Sequence, residues 1–145
     1  MGIEERDRKL TESGRTAVRK LAELLYGAGL SPDHIICSPL ARALETARIL
    51  ADRLGTSDRV TVDHRLAHGC TFGELQDFVK EAGPFQRLMI VGHQPDMGRF
   101  AFTLANTVNI NVPPGCLIRI DLDEVRPGGG AVKWLIPPDA VDPAN

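Results

Sequence analysis

Ala17, Val18, Leu21, Leu24 and Leu25 recur at a spacing near 3.6 and predict one amphipathic helix. Thr11 stands where a capping side chain belongs, and the helix runs to about Tyr26, where Gly27 and Gly29 stop it. The pattern then changes. His34-Ile35-Ile36-Cys37 is short and apolar and predicts a buried strand. A second helix begins near Leu40, with Leu40, Leu44, Ala47, Leu50 and Leu54 on its buried face and Gly55 at its end. Val60-Thr61-Val62 predicts a short strand. Thr71-Phe72-Gly73-Glu74 has capping-box spacing, and Leu75, Val79 and Ala82 extend a helical stripe as far as the break at Gly83-Pro84. Leu88-Met89-Ile90-Val91 is the clearest strand. Gly92-His93-Gln94-Pro95 follows it, with Pro95 suited to the first turn of a helix that buries Met97, Phe100, Ala101 and Leu104. Cys116–Ile120 and Ala131–Leu135 predict two last strands joined by a turn around Gly128.

Strands that alternate with helices, two of them continuous apolar runs, predict an α/β fold with a mostly parallel sheet and helices on both faces. The last two strands are expected to pair antiparallel at one edge. One domain over residues 1–136 and a Pro-rich tail over 137–145 account for the chain.

Composition narrows the function classes. The 145 residues carry 17 Lys+Arg against 19 Asp+Glu, a formal net charge of −2, so a basic nucleic-acid footprint is not expected. No apolar run approaches the roughly 20 residues that span a bilayer, so no membrane-spanning helix is expected. The charged start, Met1-Gly2-Ile3-Glu4-Glu5-Arg6-Asp7-Arg8, is unlike a signal peptide, and a cytoplasmic location is expected. Cys37, Cys70 and Cys116 are odd in number and widely spaced, which suits reduced thiols packed as small hydrophobes. The four histidines are scattered and no acidic cluster stands out, so neither a metal nor an organic cofactor is expected.

In open α/β sheets, ligands bind beyond the carboxyl ends of the strands. Two segments place polar groups there: Ser38-Pro39-Leu40-Ala41-Arg42 after the first strand, and Gly92-His93 after Leu88–Val91. Helix N-termini favour anions, Arg42 offers a planar fork that fits a phosphoryl group, and His93 can donate to phosphate oxygens or move a proton. Gly92 lets the backbone turn tightly and a ligand approach. Taken alone, the same residues also fit a surface arginine and a satisfied loop histidine.

The order of segments carries more. Arg8-Lys9-Leu10-Thr11-Glu12-Ser13-Gly14, then Ser38-Pro39-Leu40-Ala41-Arg42-Ala43 with Thr46-Ala47, then Val91-Gly92-His93-Gln94-Pro95 resembles the histidine phosphatase superfamily. Within it the chain is most similar to the small phosphohistidine phosphatases of the SixA type, over nearly its whole length to Trp134-Leu135-Ile136-Pro137. The resemblance implies a phosphoglycerate mutase-like fold and phosphoryl transfer to an enzyme histidine, followed by hydrolysis. It implies that Arg42 and His93 are catalytic and hold the phosphoryl oxygens with Arg8, while Ser38 and Gly92 shape the pocket wall. A neutral imidazole is a competent nucleophile toward phosphorus, and the spreading negative charge calls for preorganised donors.

One part of the family pattern is absent. Family members carry the nucleophile in an Arg-His-Gly motif at the end of a central first strand. This sequence has no such triplet; its one His-Gly pair, His68-Gly69, follows Ala67 and lies after the second helix, as expected of a loop histidine. His34 and His64 match nothing catalytic. Two expectations follow. Either the sequence is an N-terminally shortened phosphatase with Met1 an internal methionine, favoured because the other pocket residues fit, or it is a degenerate member. A degenerate member would close the gap by rearrangement or in a strand-exchanged dimer, binding phosphate or phosphoprotein without turnover. The short stretch from Gly55 to Pro84 leaves the pocket uncapped. The expected partner is therefore a phosphorylated protein, such as a histidine phosphotransfer domain, with a small phosphate ester as the alternative substrate.

Overall fold

The computed structural model describes residues 8–106 and 115–136; the tail from 137 and the charged segment 1–7 lie outside the described residues. Helix α1 spans Glu12–Gly27, strand β1 His34–Cys37, α2 Ala41–Leu54 and β2 Val60–Val62. A 3-10 turn at His64–Leu66 leads to α3, Phe72–Ala82. Then come β3 (Leu88–Val91), α4 (Asp96–Ala105), β4 (Leu117–Leu122) and β5 (Gly130–Ile136). Among the described residues no strand precedes α1, and no helix is long and apolar enough to cross a membrane.

Local chemistry sets these boundaries. The Thr11 side chain accepts from the Gly14 N–H at 3.0 Å and opens α1. Thr71 and Glu74 close a full capping box on α3, each accepting from the other's backbone N–H. Gly55 ends α2 in the left-handed region at φ 74°, which a residue with a Cβ adopts only with strain. Pro95 is the N-cap of α4 rather than part of its first turn, because the chain enters that helix at Asp96.

The parallel sheet has the order β2-β1-β3, with Cys37 level with Val62 on one side and Val91 on the other. Helices cover both faces, as the apolar pattern predicts. Ile35 and Cys37 face α2 through Ala47 and Ala51. Ile36 faces the opposite layer, where Leu66, Leu75, Phe78, Phe100 and Leu104 form a second core. On α1 it is Ala22 and Leu25 that are buried; Leu24, expected in the stripe, is exposed. The helix is rotated so that its small Ala22 meets the facing Leu50 and Leu54 of α2.

The last two strands pair antiparallel, with a bulge between Arg119 and Ile120, and β4 begins at Leu117 rather than Cys116. They do not extend the parallel sheet: no described ladder joins β4 to β3, so the pair forms a sheet of its own. It nevertheless lies in the same layer. Leu117 and Trp134 pack into the α1/α2 core beside Met89 of β3, while Ile120 packs into the α3/α4 core. Its turn is held by α3 and α4, through Gln76 Nε2 donating to the Val125 carbonyl and the Gly128 N–H donating to the Thr103 carbonyl, both at 2.9 Å. The consequence shows in β3. Three of the four residues of β1 are fully buried, yet all four of β3, although apolar, are only half-buried.

Candidate functional site

Parallel pairing brings the carboxyl ends of β1 and β3 side by side. The Ser38 N–H donates to the Val91 carbonyl at 2.9 Å, so Ser38 and the Gly92-His93 pair leave the sheet together. Ser38 is fully buried, and its Oγ lies 2.7 Å from His93 Nε2 while accepting from the Leu40 N–H at 3.1 Å. This hydroxyl therefore fixes the imidazole at one edge and the start of α2 at the other.

Arg42 stands second in α2, exposed, at the end of the helix nearest Ser38. That helix start differs from the others. The first turns of α1, α3 and α4 contain Glu12, Glu74 and Asp96, whereas the first turn of α2 contains no carboxylate, and its N-cap Leu40 offers no side-chain acceptor. Among the described residues no N-cap side chain meets its terminal N–H groups, and their partial positive charge favours an anion.

Arg8 is exposed, and its segment is tied to the same helix. The Leu10 N–H donates to Glu45 Oε1 at 2.9 Å, and Arg15 bridges the Leu10 carbonyl at 3.0 Å and Glu45 Oε2 at 3.1 Å. Arg8 thus stays within about 7 Å of chain from an anchor on α2 one turn beyond Arg42. The structure joins Ser38 and His93 directly, sets Arg42 at the adjacent start of α2, and ties the Arg8 segment to that helix.

Gly92 also meets a packing need that the sequence does not signal. Its φ is not in the left-handed region, and a Cβ there would come 2.6 Å from Met97 Cε. The missing side chain makes room for Met97, which turns back from α4 over the end of β3. Glu74 and Asp96, carboxylates near this end of the fold, are engaged. Glu74 belongs to the α3 capping box. Asp96 is buried, pairs with Arg99, and accepts from the Cys70 N–H at 3.1 Å.

The cysteines do not compete for a nucleophilic role. Burial pushes the Cys37 thiol up. The Cys70 thiol rises to about 11, from burial first and then from the nearby Glu74 and Asp96 carboxylates.

His68 is a loop residue, as expected, but the sequence does not foresee its neighbour: its ring lies 5.5 Å from that of His93, centre to centre, tilted by 35°. No local pattern signals this, because the two histidines stand on separate loops and only the docking of the loop before α3 onto the start of α4 brings them together. His34, by contrast, is engaged with Thr61 Oγ1 at 2.7 Å.

Comparison with known proteins agrees with this architecture. An uncharacterised protein of Picosynechococcus sp. strain PCC 7002 is 39% identical over 105 residues, covering 70% of this chain and 62% of that protein. The chain thus spans about three fifths of the length of this relative. The protein histidine phosphatase SixA, solved with tungstate, superposes with a TM-score of 0.83 at 22% identity, covering 98% of this chain and 92% of that one. A protein described as a phosphohistidine phosphatase SixA from Agrobacterium tumefaciens superposes with a TM-score of 0.78 at 18% identity, covering 93% and 86%. These two likenesses show the fold. The model of the histidine phosphatase superfamily (branch 1) matches residues 3–88, more than half of the chain and including Arg8, Ser38 and Arg42. With the parallel sheet, the acid-free start of α2 and the Ser38–His93 pair at the ends of adjacent strands, that match places the chain in the histidine phosphatase superfamily, branch 1.

Proposed function

We propose that this chain is the oxyanion-binding body of a phosphohistidine phosphatase acting on protein-borne phosphohistidine. The observation that carries the reading is the start of α2, whose first turn holds no carboxylate and carries Arg42, beside the imidazole that Ser38 holds. Arg42 grips two phosphoryl oxygens through its fork, the α2 N–H groups take a third, and His93 donates from the facing strand end. Arg8 closes the anion from solvent. Phosphoryl transfer asks chiefly for such preorganised positive donors.

The position the fold leaves for a strand carrying the attacking imidazole is the space between β3 and β4, on the side of His93. Half-burial of all-apolar β3, and a separate β4–β5 pair in the same layer, support that position. Its nitrogen forms the new N–P bond as the substrate imidazole leaves and takes up a proton; water then cleaves the enzyme N–P bond and restores the free imidazole. An imidazole leaving group asks less of a carboxylate proton donor than an alkoxide, which fits a site whose near carboxylates are engaged in structure. Only β2, a 3-10 turn and α3 lie between α2 and β3, so the pocket is open to a folded partner.

The absence of Arg-His-Gly from this sequence favours a second reading, a binding module that holds phosphate or phosphoprotein without turnover. The experiment compares this chain with one extended through the codons in frame upstream of Met1. The chain alone is expected to bind orthovanadate and turn nothing over. The extended form is expected to hydrolyse protein phosphohistidine faster than sugar phosphates or phosphoserine. Arg42→Ala should lower its kcat/KM by about 100- to 1000-fold. A stop codon before any segment ending in Arg-His-Gly would sink the enzyme reading in favour of the binding module, and equal rates on all three substrates would overturn the specificity.

A further inference from the structure

We infer that His68 is a second imidazole of the oxyanion site, donating to a bound phosphoryl group from the side facing solvent; the inference rests on the reading of the site proposed above. His93 Nε2 is engaged with buried Ser38, so His93 forms the inner wall. His68 is exposed and lies against it, ring centres 5.5 Å apart and tilted by 35°.

An exposed side chain normally samples many positions, but the backbone under His68 is held on both sides. Two residues before it, Leu66 is fully buried in the α3/α4 core, and the Ala67 N–H closes the 3-10 turn on the His64 carbonyl at 3.1 Å. Two residues after it, Cys70 is buried, and its N–H donates to the Asp96 carboxylate at 3.1 Å. Between these anchors Gly69 takes φ +67°, the left-handed turn that lets so short a bridge close. Asp96 opens α4 three residues after His93, so the carboxylate that fixes the His68 loop belongs to the same strand-to-helix connection as His93. The two imidazoles are thereby set at a defined separation by shared structure. An oxyanion held at the start of α2 meets His93 from within and His68 from outside, and imidazole N–H groups are good donors to phosphoryl oxygens.

The test titrates this chain with inorganic phosphate and follows the imidazole Cε1–H resonances by NMR. The His68 and His93 signals should move together with one Kd while His34 and His64 stay in place. His68→Ala should weaken phosphate binding about fivefold, the loss of one hydrogen bond, and His68→Gln should recover part of it. His64→Ala, at an exposed position in the same connection, should leave Kd unchanged. Movement of His93 without His68, or an equal loss in His64→Ala, overturns this inference and leaves the site reading standing. No movement of His93 overturns both.

Discussion

Phe78→Ala is expected to destabilise the fold by about 3–5 kcal/mol, the range for emptying an aromatic position in a close-packed core. Phe78 is 2% exposed at the centre of the α3/α4 layer, among Ile36, Leu66, Leu75, Phe100 and Leu104. These neighbours come from four separate elements, so they cannot collapse together into the void without moving the sheet. The Arg65 guanidinium lies 5.5 Å over the ring, and alanine would forfeit that contact as well. Urea unfolding followed by circular dichroism measures the loss as a fall in midpoint at constant slope. Phe102→Ala, on the exposed side of α4 at 46% exposure, serves as the control and should cost less than about 1 kcal/mol. A Phe78→Ala loss no larger than the control's would mean that the core is not organised around this ring.

Asp96→Ala is expected to cost about 2–3 kcal/mol and to loosen one loop more than the rest of the fold. Asp96 is 3% exposed and accepts the Cys70 N–H, while its other oxygen pairs with Arg99. Alanine leaves a buried N–H without its acceptor, and that unsatisfied group, more than the loss of an ion pair whose arginine is largely exposed, sets the cost. Asp96→Asn keeps an acceptor for Cys70 and should recover more than half of the loss. Native-state hydrogen exchange distinguishes the local effect from the global one. The Cys70 amide should lose more protection than amides of β1, and equal losses at both would argue against a specific anchor.

Much of the fold is legible in the sequence because its signals are local. Thr11, the Thr71–Glu74 pair and Gly55 mark helix ends through bonds within a turn or two, and they lie where the pattern places them. The chemistry at Ser38 and His93 is also legible, since both follow apolar strands, although their 2.7 Å contact depends on the register of β1 with β3. What escapes the sequence is non-local. Leu24 and Ala22 differ in burial because of how α1 is rotated on α2. An apolar run such as Leu88–Val91 signals burial on both faces but says nothing of whether a neighbouring strand covers its edge. His68 has an ordinary sequence context, and its approach to His93 depends on the non-local bond from Cys70 to Asp96 and the burial of Leu66.

The two sheets also differ in how far the chain must travel to make them. β4 and β5 are joined by one short turn, so their ladder closes locally, on the microsecond scale typical of hairpins. β1 meets β3 only after α2, β2 and α3 have been threaded between them, and a parallel ladder carries the full entropy of that loop. Folding is therefore expected to divide, with the hairpin forming first and Ile35–Cys37 settling against Val91 last. Pulse-labelled hydrogen exchange should find the β4 and β5 amides protected before those of β1, and the reverse order would refute the division. Since Ser38 and His93 meet only when the late ladder is complete, the proposed anion site is assembled at the final step of folding, and an incompletely folded chain would have no such site to offer.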